Sequence, residues 1–109
     1  MLNFSIYGVE VIGDDVRSLP IVTTEDKDKA IEAFKAQIQA AFDTLNTETM
    51  RHIGGKTEVY LGACDNTFGL GADIIKQATI KRPLWSPQAE IWLSQDGRPP
   101  MIRIETGEL

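Results

Sequence analysis

The sequence is poor in the residues that most often carry catalytic or metal chemistry, with one cysteine, Cys64, and one histidine, His52. A single cysteine cannot form an internal disulfide, and this pair alone gives no zinc-ligand set. The apolar runs are shorter than the roughly 20 residues that span a bilayer. The N-terminus lacks the basic and apolar regions of a signal peptide. We therefore expect a cytoplasmic protein with no membrane association, metal or cofactor.

Clusters of basic residues are also missing, and the net charge is −5. Residues 1–50 hold nine acidic and four basic side chains, whereas residues 51–109 hold seven of each. Nucleic-acid binding depends mostly on clustered Lys and Arg, so we do not expect it here. The acidic half instead favours a basic protein partner. A chain of 109 residues suffices for one domain, residues 1–109, with one core.

One long amphipathic helix is the clearest element in the sequence. Its apolar positions recur at steps of three or four residues, at Ile31, Phe34, Ile38, Phe42 and Leu45. This spacing predicts a single apolar stripe that packs on a core. We expect Thr23 or Thr24 to cap the start of the helix, after a loop over residues 14–20.

Three segments alternate as strands should. In residues 2–12 the alternation slips at Gly8, which predicts a bulge at Tyr7–Gly8. Residues 56–63 alternate without a slip. Residues 72–81 fit either a strand or a helix, and we favour the strand because β-branched residues are frequent there.

A hairpin is predicted near the end of the chain, with Asp96–Gly97 as a two-residue turn. This turn sets Ile91 opposite Ile102 and Trp92 opposite Met101. Pro99 and Pro100 cannot donate ladder hydrogen bonds, so the last strand should lie at a sheet edge. The order of strand, helix and then strands indicates an α+β fold, with one long helix packed on an antiparallel sheet of four or five strands.

The stretch from Leu61 to Asp73 looks most like a reactive loop, and its candidate ligand- or anion-binding residues are Cys64, Asn66, Gly69 and Gly71. However, no lysine stands at the phosphate-loop spacing, and Asp73 brings negative charge. A straight strand also separates Cys64 from His52 by about 25–30 Å, too far for a nucleophile–base pair. We therefore interpret the stretch as a connecting loop and expect no enzyme activity.

The strongest functional signal is a set of large side chains that the helix should leave uncovered. One helix covers one face of a sheet, so Tyr60, Trp92 and Met101 should face away from it. Trp85 is expected near them, beside Lys81 and Arg82. Aromatic, Met and Arg side chains outside a core are typical of protein interfaces. In the alternative interpretation, the N-terminal loop or the loop over residues 64–71 covers them as a second, minor core.

These patterns favour a small acidic, non-enzymatic binding protein that masks a surface of another macromolecule, of the phage or mobile-element inhibitor or toxin-immunity type. One alternative is a small-ligand-binding domain with a pocket near residues 64–73. Another is a structural homo-oligomer, such as a homodimer formed through the outer sheet face or the edge strand.

Overall fold

The computed structural model of the protein describes residues 2–65 and 73–109. Within these residues the chain forms seven strands, two α-helices and one 3₁₀ turn. In chain order they are β1 (Asn3–Ile12), β2 (Asp15–Ser18), β3 (Val22–Thr24), α1 (Lys27–Leu45), α2 (Glu48–Ile53), β4 (Gly55–Cys64), β5 (Asp73–Arg82), β6 (Glu90–Ser94), β7 (Ile102–Ile104) and the turn at Thr106–Glu108. The predicted α+β class is confirmed.

The strands form one antiparallel sheet in the order β2-β1-β4-β5-β6-β7, and β3 pairs with the edge of β1 that β2 leaves open. The prediction of four or five strands is therefore wrong. It missed β2 and β3, most of which fall in or beside the stretch predicted to be a loop. Ile12 pairs with Asp15 across the two-residue turn Gly13–Asp14. Gly13 adopts a φ of 60°, as the first position of a type II′ hairpin turn requires.

Helix α1 packs across one face of the sheet through the predicted stripe. Phe34, Ile38 and Leu45 are buried in the core, and Ile31 and Phe42 are partly buried against it. The predicted cap is wrong, because Asp26 accepts hydrogen bonds from the Asp28 and Lys29 amides at 2.9 and 3.3 Å. Asp26 lies closer to the first helical turn than either threonine does. In the described part of the chain, neither helix has both the length and the apolar character needed to cross a membrane.

Strand β1 has no bulge at Tyr7–Gly8, contrary to the prediction. Its pairing with β4 runs without interruption from Asn3 to Ile12. A Cβ atom at residue 8 would clash with the backbone carbonyl oxygen of Glu58 on β4. Gly8 thus allows close approach of a neighbouring strand, and β1 simply presents apolar side chains to both faces.

The bulge in this sheet lies between β4 and β5 instead. Leu61 pairs with Lys76, but the next residue of β4, Gly62, pairs with Ile74. Residues 73–82 form the strand that we favoured over a helix. The extra residue, Ile75, is partly buried against the core, whereas Ile74 is exposed. The bulge therefore explains why Ile74 does not share the inward face of Ala78 and Ile80.

The terminal hairpin forms, but its predicted register is wrong by two residues. Ile91 pairs with Ile104 and Leu93 with Ile102, and residues 95–101 form a longer connection than the predicted turn. Side chains close this connection, since Ser94 Oγ donates to the Arg98 carbonyl at 2.6 Å. The two prolines fit in the loop, where no ladder hydrogen bond is needed. A shift of two preserves the faces, and β7 is at the sheet edge as predicted.

Arg82, the last residue of β5, joins the sheet to the end of α1. Its side chain is buried, and it donates to the carbonyl of Leu45 at 2.7 Å and to that of Ser86 at 2.9 Å. Longer bonds of 3.4 Å reach the carbonyls of Thr47 and Pro87. A cation at the C-terminal end of a helix is favoured by the helix dipole and satisfies carbonyls that lack helical partners.

We predict that Arg82→Met lowers the free energy of unfolding by about 2–4 kcal/mol, because it leaves buried carbonyls without a donor. Urea denaturation followed by circular dichroism measures this change. Arg98→Met is the matched control, because Arg98 is exposed and its loss should cost within about 0.5 kcal/mol. Equal effects of the two substitutions would contradict the role given to Arg82.

Candidate functional site

The structure places the predicted contact residues in three different locations. Tyr60, Lys81, Trp92 and Met101 lie on the outer face, which is the face of the sheet opposite α1. Trp85 lies beyond the end of β5, next to α2. Arg82 is buried on the helix side, where carbonyl groups occupy its guanidinium. Its position therefore does not support the predicted contact role.

Trp92 is the centre of one group on the outer face. The Lys81 ammonium lies 5.1 Å from the centroid of the Trp92 ring, in a cation–π contact. These two residues, together with Thr79 and Met101, line a shallow hollow of about 240 Å³. The indole is half-buried, yet among the described residues its buried Nε1–H has no hydrogen-bond acceptor. A buried donor left in this way costs about 1–3 kcal/mol.

A pair of tyrosines forms a second group on the same face. The rings of Tyr7 and Tyr60 stack, with centroids 5.3 Å apart and planes inclined by 26°. They are direct cross-strand neighbours on β1 and β4. Sequence reasoning missed Tyr7, although uninterrupted alternation from Phe4 and Ile6 would have placed it opposite the core. We call Tyr7, Tyr60, Lys81, Trp92 and Met101 the outer-face cluster.

Glu58 is the electrostatic centre of the tyrosine group. Its carboxylate accepts a hydrogen bond from the Tyr60 hydroxyl at 2.6 Å and forms an ion pair with Lys56 at 3.1 Å. The bond from Tyr60 and the contact with Lys56 lower the pKa of Glu58. Burial, followed by the same hydrogen bond, raises the pKa of Tyr60 to about 12. The tyrosine hydroxyl therefore remains a donor throughout the neutral range.

Within residues 2–65 and 73–109, no helix packs on the outer face. The core contacts of α1 are all on the opposite face, and those of Met50 in α2 and of Leu109 join the same core. The cluster residues are half-buried by their neighbours. The prediction that large side chains face away from α1 is thus correct for Tyr60, Trp92 and Met101.

Trp85 belongs to a different and more exposed apolar surface at the end of the sheet. Its side chain is 60% exposed, and its backbone holds a φ of 65°, which is costly for a residue other than glycine. Its amide donates to the Arg51 carbonyl at 3.0 Å, and its ring meets His52 edge-on at 4.8 Å between centroids.

Next to Trp85 lies an open groove of about 460 Å³, which we call the end groove. It is lined by Val11, Gly13, Ile53, Gly54, Gly55, Lys56 and Leu84. Leu84 is 55% exposed and Ile53 is 44% exposed. Sequence reasoning missed both residues, because neither belongs to a periodic stripe. Their only signal is that each is apolar and lies beside Gly or Pro, next to a chain reversal.

A third feature is a cleft between α1 and the sheet, with a volume of about 240 Å³. Its lining is mostly apolar and also includes two lysines, Lys35 and Lys76, and one acidic residue, Glu108. The residues that line it are Ile31, Phe34, Lys35, Ile38, Lys76, Leu93, Gln95, Glu108 and Leu109. Lys76 is held by a hydrogen bond of 2.8 Å to Gln95 Oε1.

Of the predicted loop residues, Cys64 is buried at the end of β4, and Asn66, Gly69 and Gly71 lie outside the described residues. His52 lies in α2, just before the opposite end of β4, so the strand separates it from Cys64 as predicted. In the part of the chain that the structure describes, no three His, Cys, Asp or Glu side chains are grouped to hold a metal ion.

Comparison with models of protein families, with characterised proteins and with solved structures found no match for this chain. Its exposed side chains, charges and cavities are therefore the observations from which a function is inferred.

We predict that Tyr60→Phe weakens the loss of stability at alkaline pH. The pKa of Tyr60 is raised from 10.0 to about 12, so its stabilising effect is complete below pH 10 and is lost as the pH rises towards 12. The variant keeps the stacked ring but has no proton to lose. Urea denaturation across this range should therefore show a shallower fall in the free energy of unfolding, and an unchanged slope would contradict the assignment.

Proposed function

We propose that this chain is a non-enzymatic binding protein that masks a surface of another protein, and that the outer-face cluster makes the contact. The observation that carries this proposal is the Trp92 indole, whose buried Nε1–H has no acceptor within the described residues. A buried polar group without a partner needs a reason. A carbonyl or carboxylate of a partner, placed in the hollow beside Trp92, would supply the acceptor once a small shift of the half-buried ring uncovers the Nε1–H.

The composition of the cluster also supports a contact surface. Two tyrosines, one tryptophan and one methionine lie on a single face, and these residue types are enriched at the centres of protein interfaces. The stacked Tyr7 and Tyr60 rings present a preordered surface, so little conformational entropy is lost when they are covered. Such a surface suits an inhibitor or an immunity protein, the classes that the sequence suggested.

The charges on this face indicate which charged group of the partner would contact it. Glu58 is paired with Lys56, and Glu90 with Arg103 at 3.4 Å. Lys81 contacts the Trp92 ring but no carboxylate among residues 2–65 and 73–109. The acidic excess of the whole chain predicted a basic partner, whereas the outer-face cluster favours a partner carboxylate against Lys81. Burying a charge without a counter-charge is costly, so this pairing would add specificity.

We predict that Lys81→Glu abolishes capture of the partner, because it places like charge against the partner's carboxylate. Lys29→Glu on α1 is the matched control, since it changes the net charge equally but lies on the opposite side of the sheet. The immobilised variants and the parent protein would be incubated with the same cell extract, and retained proteins compared by quantitative mass spectrometry. A protein retained by the parent and by Lys29→Glu, but lost with Lys81→Glu, is the expected result.

Purified partner and isothermal titration calorimetry then give the affinity. Thermal unfolding of Lys29→Glu should match that of the parent, because Lys29 is exposed. Lys81→Glu loses the cation–π contact with Trp92 and should unfold at a slightly lower temperature but remain folded under the conditions of the capture experiment. Equal loss of capture in both variants would show that net charge alone matters. Equal retention would show that the outer-face cluster is not the contact.

The cleft between α1 and the sheet supports a second candidate function, the binding of a small molecule. The apolar lining suits a short hydrocarbon chain, and Lys35 and Lys76 outnumber the lining carboxylate of Glu108, which favours a ligand with one carboxylate. We expect hexanoate to shift the NMR resonances of Leu93 and Lys76, and Lys76→Ala to weaken this binding. Shifts that are scattered over the surface, or that persist unchanged in Lys76→Ala, would exclude the cleft.

A further inference from the structure

We propose that the chain forms a two-fold dimer in which the end groove of one copy packs against the end groove of a second copy. This interface shares no residue with the outer-face cluster and does not depend on the function proposed above. It differs also from the two dimer interfaces that the sequence suggested, the outer sheet face and the edge strand.

The first step of the argument is the exposure of large apolar side chains around the groove. Leu84 and Ile53 are 55% and 44% exposed, and Trp85 beside them is 60% exposed. Val16, the cross-strand neighbour of Val11 in the groove, is 70% exposed. These side chains line the groove or neighbour residues that do, and a cluster of exposed apolar side chains on a small protein often marks a contact site.

The second step is the backbone of Trp85. A left-handed conformation costs a bulky residue of order 1–3 kcal/mol, and here it holds an indole in contact with solvent. The amide bond to Arg51 and the edge contact with His52 fix this position. An exposed indole adds little to the stability of the isolated monomer. Burial of the indole in a dimer would therefore offset the free-energy cost of the left-handed backbone.

The third step is the arrangement of charges, which identifies the occupant as a second copy. Asp14 and Asp15 follow Gly13, the groove residue next to Ile53. Arg51 is near Trp85, because its backbone carbonyl accepts a hydrogen bond from the Trp85 amide. All three side chains are exposed, and none forms an ion pair in the parts of the chain that are described.

A uniformly acidic or uniformly basic partner would satisfy one side of this groove and repel the other. A two-fold axis through the groove instead sets Asp14 and Asp15 of each copy against Arg51 of its mate, so that both sides are satisfied at once. Because the contact is built from a few side chains of each copy, we expect a micromolar dimer that dissociates on dilution rather than an obligate one.

Sedimentation velocity of the full chain, from the low micromolar to the millimolar range, should show a monomer–dimer equilibrium. Two charge-reversal variants test the geometry. Arg51→Asp makes both sides of the groove acidic, and the double variant Asp14→Arg, Asp15→Arg makes both sides basic. Each variant alone should dimerise at least about tenfold more weakly than the parent, because like charges then face each other.

An equimolar mixture of the two variants should form a heterodimer at least as tightly as the parent forms its homodimer. A purely structural effect of either substitution would not be reversed by mixing, so this recovery is specific to the proposed contact. Arg98→Asp is the matched control, because it makes the same charge change in the exposed β6–β7 loop and should leave dimerisation unchanged. Trp85→Gly, which removes the indole and tolerates the left-handed backbone, should also weaken the dimer.

A parent protein that stays monomeric at every concentration overturns the proposal. So does a dimer that persists in both reversal variants, or a mixture that fails to associate. Lys81→Glu should dimerise like the parent, so failure of this interface and failure of the outer-face cluster are separate results.

Discussion

The hydrogen bonds of the Arg82 guanidinium connect the end of β5 to the end of α1 and to the segment that carries the exposed Leu84 and Trp85. Arg82 ends the central strand β5 and donates to the last carbonyl of α1 and to the carbonyl of Ser86. It thereby fixes where the helix stops and how the chain leaves the sheet. The segment between Arg82 and Ser86 carries Leu84 and Trp85, two of the exposed apolar side chains around the end groove. The shape of that surface is therefore set from within the core, by a cation whose acceptors are all backbone carbonyls.

The two faces of the seven-stranded sheet differ because the long helix α1 packs on one of them. The stripe of α1 buries the inward residues of the strands, and within the described residues nothing helical lies on the reverse face. That face compensates in part by local pairing, with stacked tyrosines, ion pairs and a lysine over Trp92. Among the buried side-chain groups of residues 2–65 and 73–109, local pairing leaves the Nε1–H of Trp92 without an acceptor. Most polar groups on the reverse face are thus paired with a neighbour or with solvent. The exception among the described residues is Trp92, whose buried Nε1–H has no acceptor.

The sequence predicted the elements whose signals are local and periodic. The stripe of α1 follows from side-chain spacing, the strand character of β5 from its β-branched residues, and the edge position of β7 from proline chemistry. The strands β2 and β3 were missed, although Gly13–Asp14 is itself a two-residue hairpin signal. The register of the last hairpin and the position of the bulge depend on pairing across strands, which spacing within one strand does not determine. The sequence places Arg82 at the surface because a basic residue beside an exposed tryptophan is typical of an interface. Its buried acceptor, the Leu45 carbonyl, lies 37 residues away in sequence and leaves no local signal.

Lys56 connects both proposed surfaces, the end groove and, through Glu58, the outer-face cluster. For this reason each surface is tested at another residue. Its side chain lines the end groove, and its ammonium also pairs with Glu58, whose carboxylate accepts the Tyr60 hydroxyl. A second copy packed in the groove would remove water from around Lys56 and strengthen its attraction to Glu58. Glu58 would then bind the Tyr60 proton less strongly, because its charge is better neutralised. Occupation of the groove would therefore weaken the hydrogen bond of Tyr60, through the Lys56–Glu58 ion pair and the Glu58–Tyr60 hydrogen bond. A substitution at Lys56 would disturb both surfaces at once, whereas Arg51 and Lys81 each affect one.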